Sequence, residues 1–230
     1  MKTLAAILAG GSGSRFAGNQ PKQFVLLGGK PVLCHSVDVF ERSDRIDAFL
    51  IISHTDGIDH IRFLAEQYGW KKFCGVLPGG ATRSGSSQAA LAYAAANGFD
   101  RLLIHDAARP LINEAMLDRL CDGLEVYDAV VAAVPVTDTI SVSADGKTVA
   151  ETPKRESLWS IQTPQGFSVP VLQHAYRLFN EDTGAVATDD GGVVRRYLPN
   201  IPVGLILGSR RAAKLTYPED LSILETLLSE

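Results

Sequence analysis

A glycine run and two cations near the start of the chain carry its first chemical signal. Gly10-Gly11-Ser12-Gly13-Ser14-Arg15 follows a short apolar segment, and Pro21-Lys22-Gln23 comes a few residues later. Glycines let backbone N–H groups from Ala9 onward crowd around phosphate oxygens, and Arg15 and Lys22 bring positive charge to the same place. The pattern suits a triphosphate. A Walker-type loop is excluded, because Gly13 and Gly18 are followed by Asn19 and Gln20 where Lys and Ser/Thr are required. A dinucleotide fingerprint is excluded too, because Phe16 stands where its third glycine belongs. An unliganded strand-to-helix turn has the same local composition, so residues further along must decide.

Two later segments bear on that decision. Pro78-Gly79-Gly80-Ala81-Thr82-Arg83-Ser84-Gly85-Ser86 is a second Gly/Ser-rich turn that opens a helix, suited to close approach by a nucleobase or phosphate. His105-Asp106-Ala107-Ala108-Arg109-Pro110 closes an apolar segment. A carboxylate placed like Asp106 either holds a cation or caps the next helix. A triphosphate brings Mg²⁺, which takes one or two carboxylates together with phosphate oxygens. The chain shows no Ser-His-Asp or Cys-His set, but it has several cations and one well-placed acid, the equipment of positioning and charge stabilisation. His105 reads as a hydrogen-bonded structural imidazole, and the other histidines are scattered.

These segments must be held by regular elements. Strand-length apolar runs at Leu4–Leu8, Phe49–Ile52, Phe73–Leu77, Leu102–Ile104 and Ala129–Val134 alternate with helix-period segments at Val32–Arg42, Ile58–Tyr68, Ser84–Asn97 and Glu114–Leu124. The series predicts an α/β fold: one Rossmann-like domain over residues 1–230 with a mostly parallel sheet between helices. Ligands in such sheets bind at the carboxyl ends of the strands, so the loops after Leu8, Leu77, Ile104 and Val134 matter most. From Asp138 to Glu156 polar and apolar residues alternate around an Asp145-Gly146 turn signal, predicting a protruding two-stranded β-arm. Such an arm is marginal alone and needs something to pack on, a second subunit or its own domain. Ser168–Asn180 reads as a helix and Val203–Leu207 as a strand. Thr216-Tyr217-Pro218-Glu219 has capping-box spacing and should start the last helix.

With 230 residues and 46% hydrophobic content the chain can build one full core. A net charge of −4 argues against a general nucleic-acid or anionic-membrane binder. Cys34, Cys74 and Cys121 are widely spaced and suggest neither a disulfide framework nor zinc. The N-terminal apolar stretch is too short for a signal core or a membrane span, which leaves a cytoplasmic location as the expectation.

Taken together, the two N-terminal blocks, His105-Asp106-Ala107-Ala108-Arg109-Pro110, Leu158-Trp159, Gln162-Thr163-Pro164-Gln165 and Lys214-Leu215-Thr216 with Pro218-Glu219-Asp220 resemble the 2-C-methyl-D-erythritol 4-phosphate cytidylyltransferase family. The resemblance runs along nearly the whole chain. The glycine loop with Pro-Lys-Gln is common to sugar-phosphate nucleotidyltransferases, whereas the His-Asp-Ala-Ala-Arg-Pro and Thr-Pro-Gln blocks are narrower. It implies that CTP and methylerythritol phosphate give CDP-methylerythritol and pyrophosphate, by in-line attack on the α-phosphorus, in non-mevalonate isoprenoid synthesis.

Carried over by the resemblance, Arg15 and Lys22 stabilise the transition state and the departing pyrophosphate, while Arg155 and Lys214 orient the acceptor phosphate. The backbone of Ala9, Gly10, Gly11, Ser12 and Gly13 closes over the nucleotide, and Gly80, Arg83 and Ser86 read the cytidine. Asp106 lies by the ribose and the metal, Mg²⁺ or another divalent cation. Arg109, Thr139, Thr163 and Thr188 fall on the acceptor side. Thr139 and Arg155, on or beside the arm, would reach a neighbouring subunit's site, implying a homodimer. The chain departs from the family's usual pattern at Ser14, Ala81 and Ala212-Ala213, and at Gly191-Gly192, which should weaken a helix start. Two other readings remain: a ribitol 5-phosphate cytidylyltransferase, against which Ala107-Ala108 argues, and a non-catalytic CTP-binding sensor, which would be expected to lack Lys22 or Asp106.

Overall fold

A computed structural model describes residues 1–11 and 21–229. Its centre is a seven-stranded sheet. The first half follows the predicted alternation: β1 (Thr3–Ala9), a small β2–β3 pair (Leu26–Leu27 and Lys30–Pro31), α1 (Val32–Arg42), β4 (Ala48–Ser53), α2 (Ile58–Tyr68), β5 (Phe73–Pro78), α3 (Arg83–Ala96) and β6 (Arg101–Asp106). Then come α4 (Glu114–Gly123), β7 (Ala129–Pro135), β8 (Trp159–Ser168), α5 (Val169–Glu181), α6 (Asp190–Tyr197), β9 (Val203–Leu207) and α7 (Asp220–Ser229).

The strand order is β5-β4-β1-β6-β8-β7-β9, with β5, β4, β1 and β6 mutually parallel and β7 parallel to β9. Strand β8 runs antiparallel to both of its neighbours, β6 and β7. Leu4 and Ala6 face one side of β1 and Ala5 and Ile7 the other, each fully buried in a separate apolar layer. Burial on both faces explains the near-continuous apolar runs. A third, smaller cluster of Leu27, Val32, Leu111, Leu215 and Leu224 seats α7 against the β2–β3 pair.

Strand β8 was not predicted. Its sequence is polar and contains Pro164, which argues against a place inside a sheet. The ladder resolves the conflict. On β7 the register jumps from Val131 opposite Gln165 to Ala133 opposite Ile161, and β6 pairs only as far as Gln165, so residues 162–164 pair with neither strand. Proline therefore forfeits no ladder bond there. The polar side chains are buried but satisfied: Gln162 exchanges two bonds with the Ser209 backbone, and Gln165 binds Asp189 Oδ2 and the Gly191 N–H.

Two expectations need correction. The last helix begins at Asp220, not beside Thr216, because the Asp220 carboxylate itself takes the Thr216 and Tyr217 N–H groups at 2.7 and 2.8 Å. The arm forms one isolated bridge, Val142 to Glu151, instead of two strands. Its turn is held by Asp145, which accepts bonds from the Lys147 and Thr148 backbone, with Gly146 at φ +67°. Gly191-Gly192 do not prevent a helix, since Asp189 caps α6 through the Gly192 N–H. A Cβ at Gly191 would lie 2.5 Å from Val131 Cγ1, so glycine is what lets this helix start approach the sheet.

Candidate active site

The carboxyl ends of β1, β5 and β6 meet at a cavity of about 550 Å³. Its wall includes Ala9, Gly10 and Gly11 from the end of β1, Gly80 to Arg83 and Ser86 from the turn into α3, Asp106, and Lys22 and Lys214 from either side. Ser12, Gly13 and Arg15 lie outside the described residues. The second turn closes tightly: Thr82 caps α3 through the Gly85 N–H at 3.0 Å, and a Cβ on Gly80 would come within 2.7 Å of the Gly85 carbonyl carbon. The backbone there leaves no room for a side chain.

Asp106 is the electrostatic centre. Arg83 Nε donates to Oδ1 at 3.2 Å and Lys214 Nζ to Oδ2 at 2.6 Å. Burial alone would raise this carboxyl, but Arg83 and Lys214 outweigh it and hold it well below the usual carboxylate range. Asp106 does not cap the next helix; Asn113 does, through the Met116 N–H. Lys22 Nζ donates to the Leu215 carbonyl at 3.1 Å, and the Leu215 N–H donates to the Ala108 carbonyl, so both lysines are tied to one C-terminal strap.

Behind Asp106 runs a chain of oriented groups. The Asp106 N–H donates to Thr163 Oγ1, whose hydroxyl faces His105 Nδ1 at 3.0 Å, and His105 Nε2 faces the Arg109 carbonyl at 3.2 Å. The carbonyl fixes the tautomer: Nε2 carries the proton and Nδ1 accepts from Thr163. Burial pushes the His105 pKa down to about 3, so the ring stays neutral as a brace. Arg109 points away from the cavity, donating from Nη1 to the Ala212 carbonyl at 2.8 Å, and burial lowers its pKa.

The structure therefore gathers Ala9, Gly10, Gly11, Lys22, Gly80, Arg83, Ser86, Asp106 and Lys214 around one space, with Thr163 and Arg109 bracing it from behind. Within this chain, Thr139, Arg155 and Thr188 are exposed and do not line the cavity. Arg155 Nη1 donates to the Thr137 carbonyl at 3.2 Å. Sequence reasoning passed over His54 on the cavity wall, and it quoted Gln23 only within a motif. Gln23 Nε2 donates to the Ala9 carbonyl and anchors the end of β1. Asp190 carries no motif signal of its own in the sequence; its neighbour Asp189 is the cap of α6, which leaves a second carboxylate with another task.

Among the described residues no group of three or more His, Cys, Asp or Glu side chains is placed to hold a metal ion. A lone carboxylate at the mouth fits a cation that arrives on a triphosphate, with phosphate oxygens supplying most of its ligands. Among the described residues no helix is long and apolar enough to cross a membrane.

The family model for 2-C-methyl-D-erythritol 4-phosphate cytidylyltransferase matches residues 3–230. The chain is 38% identical to the protein of that description from Thermobifida fusca, over 99% of this chain and 93% of that one. It is 35% identical to the one from Geobacter metallireducens, over 100% and 99%. Among solved structures it is similar to 4-diphosphocytidyl-2C-methyl-D-erythritol synthase from Anaerococcus prevotii, with TM-score 0.87, 26% identity and coverage of 100% and 99%. It is also similar to the cytidylyltransferase of Thermus thermophilus, with TM-score 0.78, 27% identity and full coverage of both chains.

Proposed function

The chain belongs to the 2-C-methyl-D-erythritol 4-phosphate cytidylyltransferase family, and from its site geometry we propose how it joins the two substrates of that reaction. The enzyme makes CDP-methylerythritol and pyrophosphate from CTP and 2-C-methyl-D-erythritol 4-phosphate, a step of isoprenoid precursor synthesis. A phosphate oxygen of the acceptor attacks the α-phosphorus of CTP. A new P–O bond forms as the bond to the β-phosphate oxygen breaks, and pyrophosphate leaves with that electron pair. No protein atom is covalently modified, so the site's work is alignment and charge balance.

The observation that carries this reading is the convergence of Lys22, Arg83 and Lys214 on one cavity at the carboxyl edge, around a single carboxylate. Lys22 and Arg15 balance the charge that grows on the leaving pyrophosphate. Gly80, Arg83 and Ser86 form the nucleoside wall, and Ala9, Gly10 and Gly11 form the phosphate wall. Asp106 would hold Mg²⁺ together with the triphosphate, and the ion would supply charge neutralisation of the phosphates. Lys214, which donates to Asp106 Oδ2, is the cation that orients the acceptor phosphate. Arg109 and Thr163 brace the acceptor side from behind, and Thr188, outside the cavity in this chain, is the acceptor-side residue that the family resemblance adds.

The second half of the acceptor site comes from another copy of this chain. The arm exposes Ile140, Val142 and Val149, and the start of β8 exposes Trp159 and Ile161, an apolar set with little to cover it in one chain. Thr139 and Arg155 lie on the same exposed stretch and do not line this chain's own cavity, which supports a role in a neighbour's. The working unit is thus a cytoplasmic homodimer.

The test is pyrophosphate release from CTP and Mg²⁺ with methylerythritol phosphate, beside ribitol 5-phosphate as competing acceptor. Release with methylerythritol phosphate alone is expected. Preference for ribitol phosphate would move the chain to the pentitol branch, and CTP binding without release from either acceptor would favour a sensor.

A further inference from the structure

Asp190 has no solvent exposure, yet it is a carboxylate in the first turn of α6. It accepts from Tyr176 Oη at 2.5 Å and from Arg83 Nη1 at 2.7 Å. Arg83 in turn reaches Asp106 with Nε, so one guanidinium spans a carboxylate at the mouth and a carboxylate buried behind it. Burial alone would lower the Arg83 pKa, but the two acids raise it, and its cation is permanent. Among the described residues its buried Nη2 atom has no hydrogen-bond partner. A part-buried cation with a buried, unspent Nη2 amino group is held for something, because leaving such a donor unpaired is costly.

The geometry of the bridge says what Asp190 does. Arg83 is pulled from both ends. With Asp190 behind it, the guanidinium stays on the nucleoside wall and Asp106 shares its attraction with Lys214. Without that charge, Arg83 would collapse onto Asp106, competing with Lys214 and with any cation on the triphosphate. Asp190 also lies two residues after Thr188, in a turn that Gln165 pins to the sheet. It therefore joins the acceptor-side turn to the nucleotide-side turn.

We propose that Asp190 is a positioning residue for CTP, acting through Arg83. This rests on the cytidylyltransferase reading for what Arg83 touches. The test is Asp190→Asn, which keeps the shape and an acceptor oxygen for Arg83 but removes the charge. The expected result is a rise of about tenfold in the KM for CTP, with the KM for methylerythritol phosphate and the melting temperature near wild type. Titration calorimetry of CTP without acceptor should show the same fold-change in Kd. Tyr176→Phe removes one orienting bond and should shift both CTP constants the same way, by about threefold. If Asp190→Asn fails to fold, that variant decides.

Unchanged CTP constants in the variant that folds, with or without a lowered melting temperature, would overturn the proposal and leave Asp190 a packing ion pair. Wild-type enzyme that binds CTP but releases no pyrophosphate would count against the functional reading alone, since the calorimetric comparison still judges Asp190.

Discussion

The mouth of the cavity and the arm are built on opposite terms. At the mouth, Asp106, Arg83, Lys214 and Lys22 each have a partner within this chain. Along residues 138–156 almost every residue is exposed, one isolated bridge ties the two sides, and the aliphatic side chains face outward. A region that has satisfied its charges internally is ready for a substrate that will exchange those partners. A region with uncovered apolar groups depends on another molecule for its order.

The comparison breaks most readily at Lys22. Lys22→Ala should lower kcat by about a thousandfold while leaving the melting temperature near wild type, since the role proposed for this cation is in the transition state and its hydrogen bond to Leu215 goes to a backbone carbonyl. A loss of less than about tenfold would take Lys22 out of the chemistry. The arm is the next place to press. Ile140→Asp with Val142→Asp should convert a dimer to monomer by light scattering and lower activity by about tenfold or more at low enzyme concentration. A wild-type protein that is monomeric at micromolar concentration would end the dimer proposal.

A smaller effect is expected where the fold supports the mouth. Gly191→Ala pushes a methyl against Val131 Cγ1 and should cost about 1–3 kcal/mol in urea unfolding. Smallest is the titration of the brace. The folded His105 stays neutral down to about pH 3, whereas its ordinary value is 6.5. As pH falls below 6.5 the unfolded chain takes a proton that the folded chain refuses. Stability contributed by neutral His105 is therefore lost by about 1.4 kcal/mol per pH unit across that window. Asp106, held below its ordinary 3.8, adds a loss only under that value. His105→Gln should flatten the wild-type slope between pH 6 and about 4.5, and identical slopes would mean another group titrates there.

Much of this was legible in the sequence because parallel strands buried on both faces leave continuous apolar runs, and because glycine turns at their ends are chemically loud. Strand β8 was not legible. Its burial is secured by Gln162, Thr163 and Gln165 bonding to groups 24 to 58 residues away in the chain, so no local pattern reports it. The start of α7 was misplaced because two capping signals compete within a few residues, and the Asp220 side chain, not the Thr216 spacing, wins. The cluster at Asp106 was half legible. The sequence marks Asp106 and Lys214 through short motifs, while Asp190 meets Arg83 across 107 positions.

Strand β8 also determines how the enzyme fails. Thr163 belongs at once to the sheet's interior and to the wall behind Asp106, so the first opening of β8 from β6 dismantles the His105–Thr163–Asp106 chain. Heat damage to the nucleotide pocket and melting of the central sheet should then be a single event, whereas the arm is free to loosen earlier and reversibly.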